Sequence, residues 1–265
     1  MINSLSFENL IIWCCQADET VLRDQIKKDL VSFNFSFIED DYCSPRNSFE
    51  ETQPRIHNTL FIRGKPKICL VAHTDVCRDH RAHETLTEKL VPIPTIKEKD
   101  GRRIIQDLEC KVQVGGDDRL GIAIALWTAF HSNKDIAILL TTDEEIGILS
   151  AKQAKFKELS EFELLIEIDR GNHSNQIVSN IRGIQLCEES FAQFLVDESE
   201  KINLKREITR GYGTDVLVIK CSIPCNNAIN LTCGYYDGHC DTEYIDIEEA
   251  NETYIFINHI LNVIG

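Results

Sequence analysis

Apolar residues recur at three- and four-residue spacing over 5–15 and again over 21–33, which predicts two amphipathic helices. The pattern breaks over 39–55, a polar stretch with two prolines that reads as a loop. Short apolar runs at 60–63 and 68–72 predict strands, joined by a tight turn at Gly64-Lys65-Pro66. The charged stretch 78–88 reads as a surface loop. Residues 89–113 alternate and carry Lys99-Asp100-Gly101, a hairpin signal. An apolar helix is predicted over 120–130. The wholly apolar run 136–140 has the character of a buried central strand, and 164–168 reads the same way. Residues 191–196 fall in a helix, 216–219 and 223–231 supply further core elements, and 250–264 is an amphipathic helix.

Alternating strands and helices predict a layered α/β domain with a largely parallel sheet. No repeat, low-complexity tract or linker divides the sequence, so one domain over 1–265 is expected. An apolar fraction of 43% supports a real core. The net charge of −15 argues against a surface that holds nucleic-acid phosphates or anionic lipid. No run reaches the roughly eighteen apolar residues of a membrane span. The eleven cysteines are odd in number and include no CxxC, and the first residues carry no basic leader pattern. Reduced thiols, mostly serving as small core hydrophobes, and a cytoplasmic location are expected.

Chemistry-bearing residues gather at the C-terminal ends of the predicted strands, where open α/β sheets place their sites. His73 and Asp75 end one strand and, two apart, project to one side of an extended segment. Such a pair suits a metal site, with one imidazole nitrogen on the ion and the other on the acid; a satisfied strand-end histidine fits equally. Asp117 and Asp118 open a helix, where simple capping also accounts for them. Asp143-Glu144-Glu145 follows an apolar strand, and three adjacent carboxylates there repel unless positive charge lies among them; a solvated loop is the plainer reading. Asp169 ends a third strand beside Arg170, with which it could pair. His239 lies in a glycine-rich loop before the last helix. Together these nitrogen and oxygen donors suit zinc, with manganese or cobalt as alternatives. Several carboxylates with only two histidines suit two ions sharing an acid.

The segments His73-Thr74-Asp75, Gly116-Asp117-Asp118-Arg119-Leu120-Gly121, Thr142-Asp143-Glu144-Glu145-Ile146-Gly147, Ile168-Asp169-Arg170-Gly171, Gly213-Thr214-Asp215 and Gly234-Tyr235 through His239 to Glu243 run in the order found in the co-catalytic di-zinc exopeptidases. Over about residues 60–260 the chain resembles that superfamily of tripeptidases, zinc aminopeptidases, zinc carboxypeptidases and aminoacylases. The resemblance implies a three-layer α/β/α domain with a mixed, largely parallel central sheet. It implies two divalent ions: Asp117 bridging them, His73 and Asp169 completing one position, Glu145 and His239 the other. It also implies Glu144 as general base on the shared water, Asp75 orienting His73 from behind, and a cis peptide between Asp117 and Asp118.

Many relatives carry a lid or dimerisation domain between the last two ligand segments. Here Asp169 and His239 are 70 positions apart, filled by predicted strands and a helix, so no inserted domain is expected. An acid near the ions holds the substrate α-amine in lid-free aminopeptidases; Asp118 and Asp215, with Thr214, are the candidates, although Thr214 and Asp215 also suit a helix cap. Cys77 and Cys240 lie beside the candidate histidines, where either packing or thiolate ligation is open to them. Trp13 and Trp127 read as core, and Tyr235 and Tyr236 as core or cleft lining. The expected activity is cleavage of a peptide bond in short peptides, by an aminopeptidase. The rivals are a hydrolase of N-acyl amino acids and an interaction module that binds metal without turnover. Glu144 counts against the last, since a binding module needs no base. The expected partners are a small peptide or N-acyl substrate, with neither nucleic acid nor membrane; an oligomer is possible but not indicated.

Overall fold

The apolar periodicity of the first 33 residues becomes α1 (Phe7–Gln16) and α2 (Glu19–Ser32). Both start on side-chain caps: Ser6 accepts from the Asn9 N–H and Asp18 from the Thr20 N–H. The computed structural model describes residues 2–45, 56–78 and 91–265. Most of the expected loop 39–55, and all but its first residue of the expected loop 78–88, lie outside the described residues.

The strands in chain order are β1 (Ser36–Glu39), β2 (Thr59–Arg63), β3 (Ile68–His73), β4 (Pro94–Lys99), β5 (Arg102–Asp107), β6 (Ile136–Thr141), β7 (Leu164–Arg170), β8 (Gln176–Ile181), β9 (Ile184–Gln185), β10 (Glu207–Gly211), β11 (Asn227–Thr232), β12 (Tyr235–Tyr236) and β13 (Tyr244–Asp246). Among the described residues, four further complete α-helices are α3 (Gly116–His131), α4 (Glu189–Lys201), α5 (Asp215–Ser222) and α6 (Ile247–Ile264). A nine-stranded mixed sheet runs β1-β2-β6-β3-β7-β11-β8-β10, with β9 on β8. Its centre, β6-β3-β7-β11, is parallel. Parallel strands need both faces covered, and every residue of β3 and β6 is buried. The Gly64 turn exists, but β2 and β3 do not pair, because β6 lies between them.

Alternation along the strands feeds two apolar clusters. Ile68, Leu70, Ile138 and Ile166 join α1, α2, α3, α4 and α6 in one. Cys69, Val71, Leu139 and Leu165 join Val216 and Ile219 of α5 and Phe156 and Leu159 in the other. The sheet is thus the middle of three α/β/α layers. A smaller sheet, β12-β13-β5-β4, lies apart from it. Its β4–β5 hairpin turns through Asp100 and Gly101 with φ of +53° and +77°, the left-handed pair that a two-residue hairpin turn requires. Arg119 is wholly buried and donates to the carbonyls of Cys14 and Ala17 at the end of α1.

Candidate metal centre

The parallel strands β3, β6 and β7 end together, and the candidate residues stand on or just beyond those ends. His73 is the last residue of β3 and is 1% exposed. Its Nε2 lies 3.1 Å from Asp117 Oδ1 and 3.7 Å from Asp169 Oδ1. Its Nδ1 faces Asp75, 3.3 Å from Oδ1. Asp117 stands in the first turn of α3, and the Asp117–Asp118 peptide is cis. The other oxygen of Asp117 is 3.0 Å from Nε2 of His239, which lies 3.0 Å from Glu145 Oε2. Asp117 therefore stands between two imidazoles with one oxygen toward each. Donor atoms at about 2.1 Å from a tetrahedral ion are about 3.4 Å apart, so these spacings suit a cation on either side of Asp117.

The acid–base balance of the donors supports the same fit. Burial would lower the His73 imidazole pKa, but hydrogen bonds to Asp117, Asp169 and Asp75 outweigh it and hold the pKa well above the usual value. Hydrogen bonds to Asp117 and Glu145 raise His239 to about 11. Burial, then repulsion from Asp117, raises Asp169 to about 7. Burial pushes Glu144 up to about 9, with Asp169, Asp215 and Asp117 adding repulsion. Asp117 is the exception: its two imidazole partners overcome burial and hold it below the ordinary carboxylate range. A site that retains protons on imidazoles and acids alike has room for more positive charge than its own side chains supply.

Among the described residues, two sets of donor atoms lie within 4.8 Å of one another: His73, Asp118 and Asp169, and Cys77, Glu145 and His239. The first set includes Asp118, but its oxygens accept the N–H groups of His73 (3.1 Å) and Gly121 (3.2 Å).

No protein-family model and no curated protein matches the sequence. Solved structures do match. Aminopeptidase PepT from Bacillus cereus superposes with a TM-score of 0.73 at 14% identity, over 96% of this chain and 97% of that one. A tripeptidase from Staphylococcus aureus gives 0.74 at 14%, over 97% of each chain. A TET aminopeptidase from a marine-sediment thaumarchaeon gives 0.72 at 10%, over 98% and 97%. The chain has the fold of these aminopeptidases. The resemblance read from the six motifs thus holds for the architecture that carries them.

Within this aminopeptidase fold, several supports were invisible in the sequence. Glu243, wholly buried, accepts the N–H groups of Gly115 at 2.5 Å and Gly116 at 3.0 Å with one oxygen, and that of Asp117 at 3.4 Å with the other. It caps the turn that presents Asp117, and burial, then Asp117, raises its pKa to about 7. Glu19 accepts the hydroxyls of Thr74 and Thr142 at 2.6 and 2.7 Å, bracing the segments just beyond β3 and β6. Tyr235 donates to the Asp169 carbonyl at 3.3 Å. Sequence offered only a hint, in Glu243 closing the last motif segment.

Thr214 and Asp215, expected near substrate, lie under the site. Thr214 Oγ1 donates to Asp169 Oδ2 at 3.4 Å. Asp215 is wholly buried; it accepts the Thr141 hydroxyl, and its N–H donates to Glu167 at 2.9 Å. Burial raises Asp215 to about 6. Glu144 is half-buried, and its backbone N–H, with that of Glu145, donates to Asp75. Tyr235 belongs to the core and Trp127 packs against it, and the Tyr236 hydroxyl donates to Glu249 at 2.8 Å. No described helix is long and apolar enough to cross a membrane.

Proposed function

We propose that this chain is a two-cation hydrolase that removes residues from the N-terminus of short peptides. The observation that carries the reading is Asp117 set between His73 and His239, one carboxylate oxygen to each. In this reading His73 and Asp169 hold one divalent ion, His239 and Glu145 the other, and Asp117 is shared; zinc suits the donors. When bound, the ions acidify a water and polarise the scissile carbonyl.

The chain's own residues then divide the labour. Glu144 takes a proton from the water and returns it to the leaving amine, a task for which a half-buried carboxylate beside Glu145 is placed. Asp75 fixes the His73 tautomer by facing Nδ1, which leaves Nε2 for the ion. Asp118, Thr214 and Asp215 act as positioning residues rather than substrate contacts, because each is at most 2% exposed. The domain works without an inserted lid. Peptide substrates are preferred to N-acyl amino acids because the structures that share this fold are named aminopeptidases and a tripeptidase.

The test is a Glu144→Gln variant assayed on free-amino di- and tripeptides, on their N-acetylated forms and on N-acyl amino acids. The wild type with zinc should cleave the free-amino peptides. The variant should keep both ions and lose about 10²–10⁴ in kcat. Turnover confined to N-acyl substrates, or a fully active variant, would reject the reading; so would a protein that binds ions and cleaves nothing.

A further inference from the structure

Cys77 has no part in the roles above. It lies four residues beyond His73, half-buried and outside any disulfide. Its backbone N–H donates to Glu145 Oε1 at 3.0 Å, while the other oxygen of Glu145 faces His239. Its sulfur lies within 4.8 Å of donor atoms of both Glu145 and His239. A sulfur, an imidazole nitrogen and a carboxylate oxygen therefore lie close together, and Asp117 Oδ2 stands 3.0 Å from His239 Nε2 at the edge of that group.

We propose that the Cys77 thiolate is the fourth protein ligand of the ion held by Glu145, His239 and Asp117. The proposal rests on the two-cation reading and differentiates its two positions. An ion ringed by four protein donors is closed, as in structural zinc sites, so the water of the proposed reaction falls to the ion of His73, Asp169 and Asp117, which supply three donors and leave a coordination place open, while the closed ion contributes its charge to the shared Asp117. A thiolate also makes the closed position selective for a soft ion such as zinc, while the all-nitrogen-and-oxygen position accepts manganese or cobalt as readily. On binding, the sulfur–metal bond forms as the thiol proton passes to solvent. Cys240, next to His239 but exposed, belongs to neither donor set found among the described residues.

Cobalt provides the readout, because a cobalt–thiolate bond gives a charge-transfer band in the near ultraviolet that nitrogen and oxygen ligands do not. Full-length protein is stripped, loaded with cobalt and analysed for metal content. Two equivalents with the band are expected in the wild type and in Cys240→Ala, and loss of the band in Cys77→Ser. Cys77→Ser should also surrender one of two zinc equivalents to a chelator that the wild type withstands. Two cobalt ions without the band, or a band that survives Cys77→Ser, overturns the sulfur ligand and leaves the two-cation reading standing. Failure to bind cobalt overturns both. If Cys77→Ser does not fold, peptide mapping of alkylated wild type decides: zinc should shield Cys77 from iodoacetamide and chelation expose it, and equal labelling in both states overturns the assignment.

Discussion

The Asp75 carboxylate lies 3.3 Å from Nδ1 of His73, and the same group accepts the N–H groups of Glu144 and Glu145 at 3.1 and 3.2 Å. One buried acid thus ties the end of β3 to the turn after β6. Asp75→Asn keeps the volume but removes the charge behind the imidazole. We expect metal affinity to fall about 10- to 100-fold, read by competition with a chromophoric chelator. Unaltered affinity would separate Asp75 from the site.

Glu243 supports the site from the opposite side. Its two oxygens take three consecutive N–H groups, and Glu243→Gln leaves one acceptor where two stood. A cost of about 1–3 kcal/mol in unfolding free energy is expected from the unmet donors, visible in a urea titration of the metal-free protein. The same variant should bind zinc more weakly through displacement of Asp117. A stability equal to the wild type would show that the cap is dispensable.

Gly171 has no room for a side chain, since a Cβ there would sit 2.0 Å from the Tyr235 ring. Tyr235 is enclosed and donates to the Asp169 carbonyl, so the ring cannot move without disturbing a candidate ligand. Gly171→Ala should cost about 1–3 kcal/mol by overpacking. It should also lower zinc affinity, which isothermal titration would measure; a change in neither quantity would contradict the packing.

In the absence of ions, stability should fall as pH rises. Asp169 at about 7 and Glu144 at about 9 lie above the unfolded values of 3.8 and 4.5, both chiefly through burial. His239 at about 11 lies above 6.5 through its bonds to Asp117 and Glu145. The folded chain therefore holds more protons than the unfolded one from about pH 4.5 upward, and that advantage is lost as the folded groups titrate. Bound ions need those groups deprotonated, so stabilisation by zinc should grow with pH. Melting with and without zinc between about pH 5.5 and pH 8 should show a widening gap. A constant gap would mean that the ions bind elsewhere.

What the sequence revealed follows from burial. The runs at 136–140 and 68–72 were legible as strands, the first as a buried central one, because both faces of β6 and β3 are covered, leaving no polar position to blur the pattern. β1, with all four residues exposed, and β10, with no residue fully buried, carry no such pattern and were not anticipated. The five candidate residues could be singled out because each stands in a short motif at a predicted strand or helix end, and the fold brings their side chains together. Glu19 and Glu243 were not, because their partners lie 55 to 128 positions away and only the folded chain brings them together. Asp118 and Asp215 were expected to meet substrate because sequence shows an acid near the site but not which way it is enclosed.

Asp117 reaches back 44 positions to His73 and forward 122 to His239. This arrangement of side chains therefore comes into being only after both ends of that span have docked, and no fragment that lacks either end reproduces it. On the two-cation reading, zinc uptake would report the finished fold, and a chain still lacking the His239 loop would take up no ion between these residues.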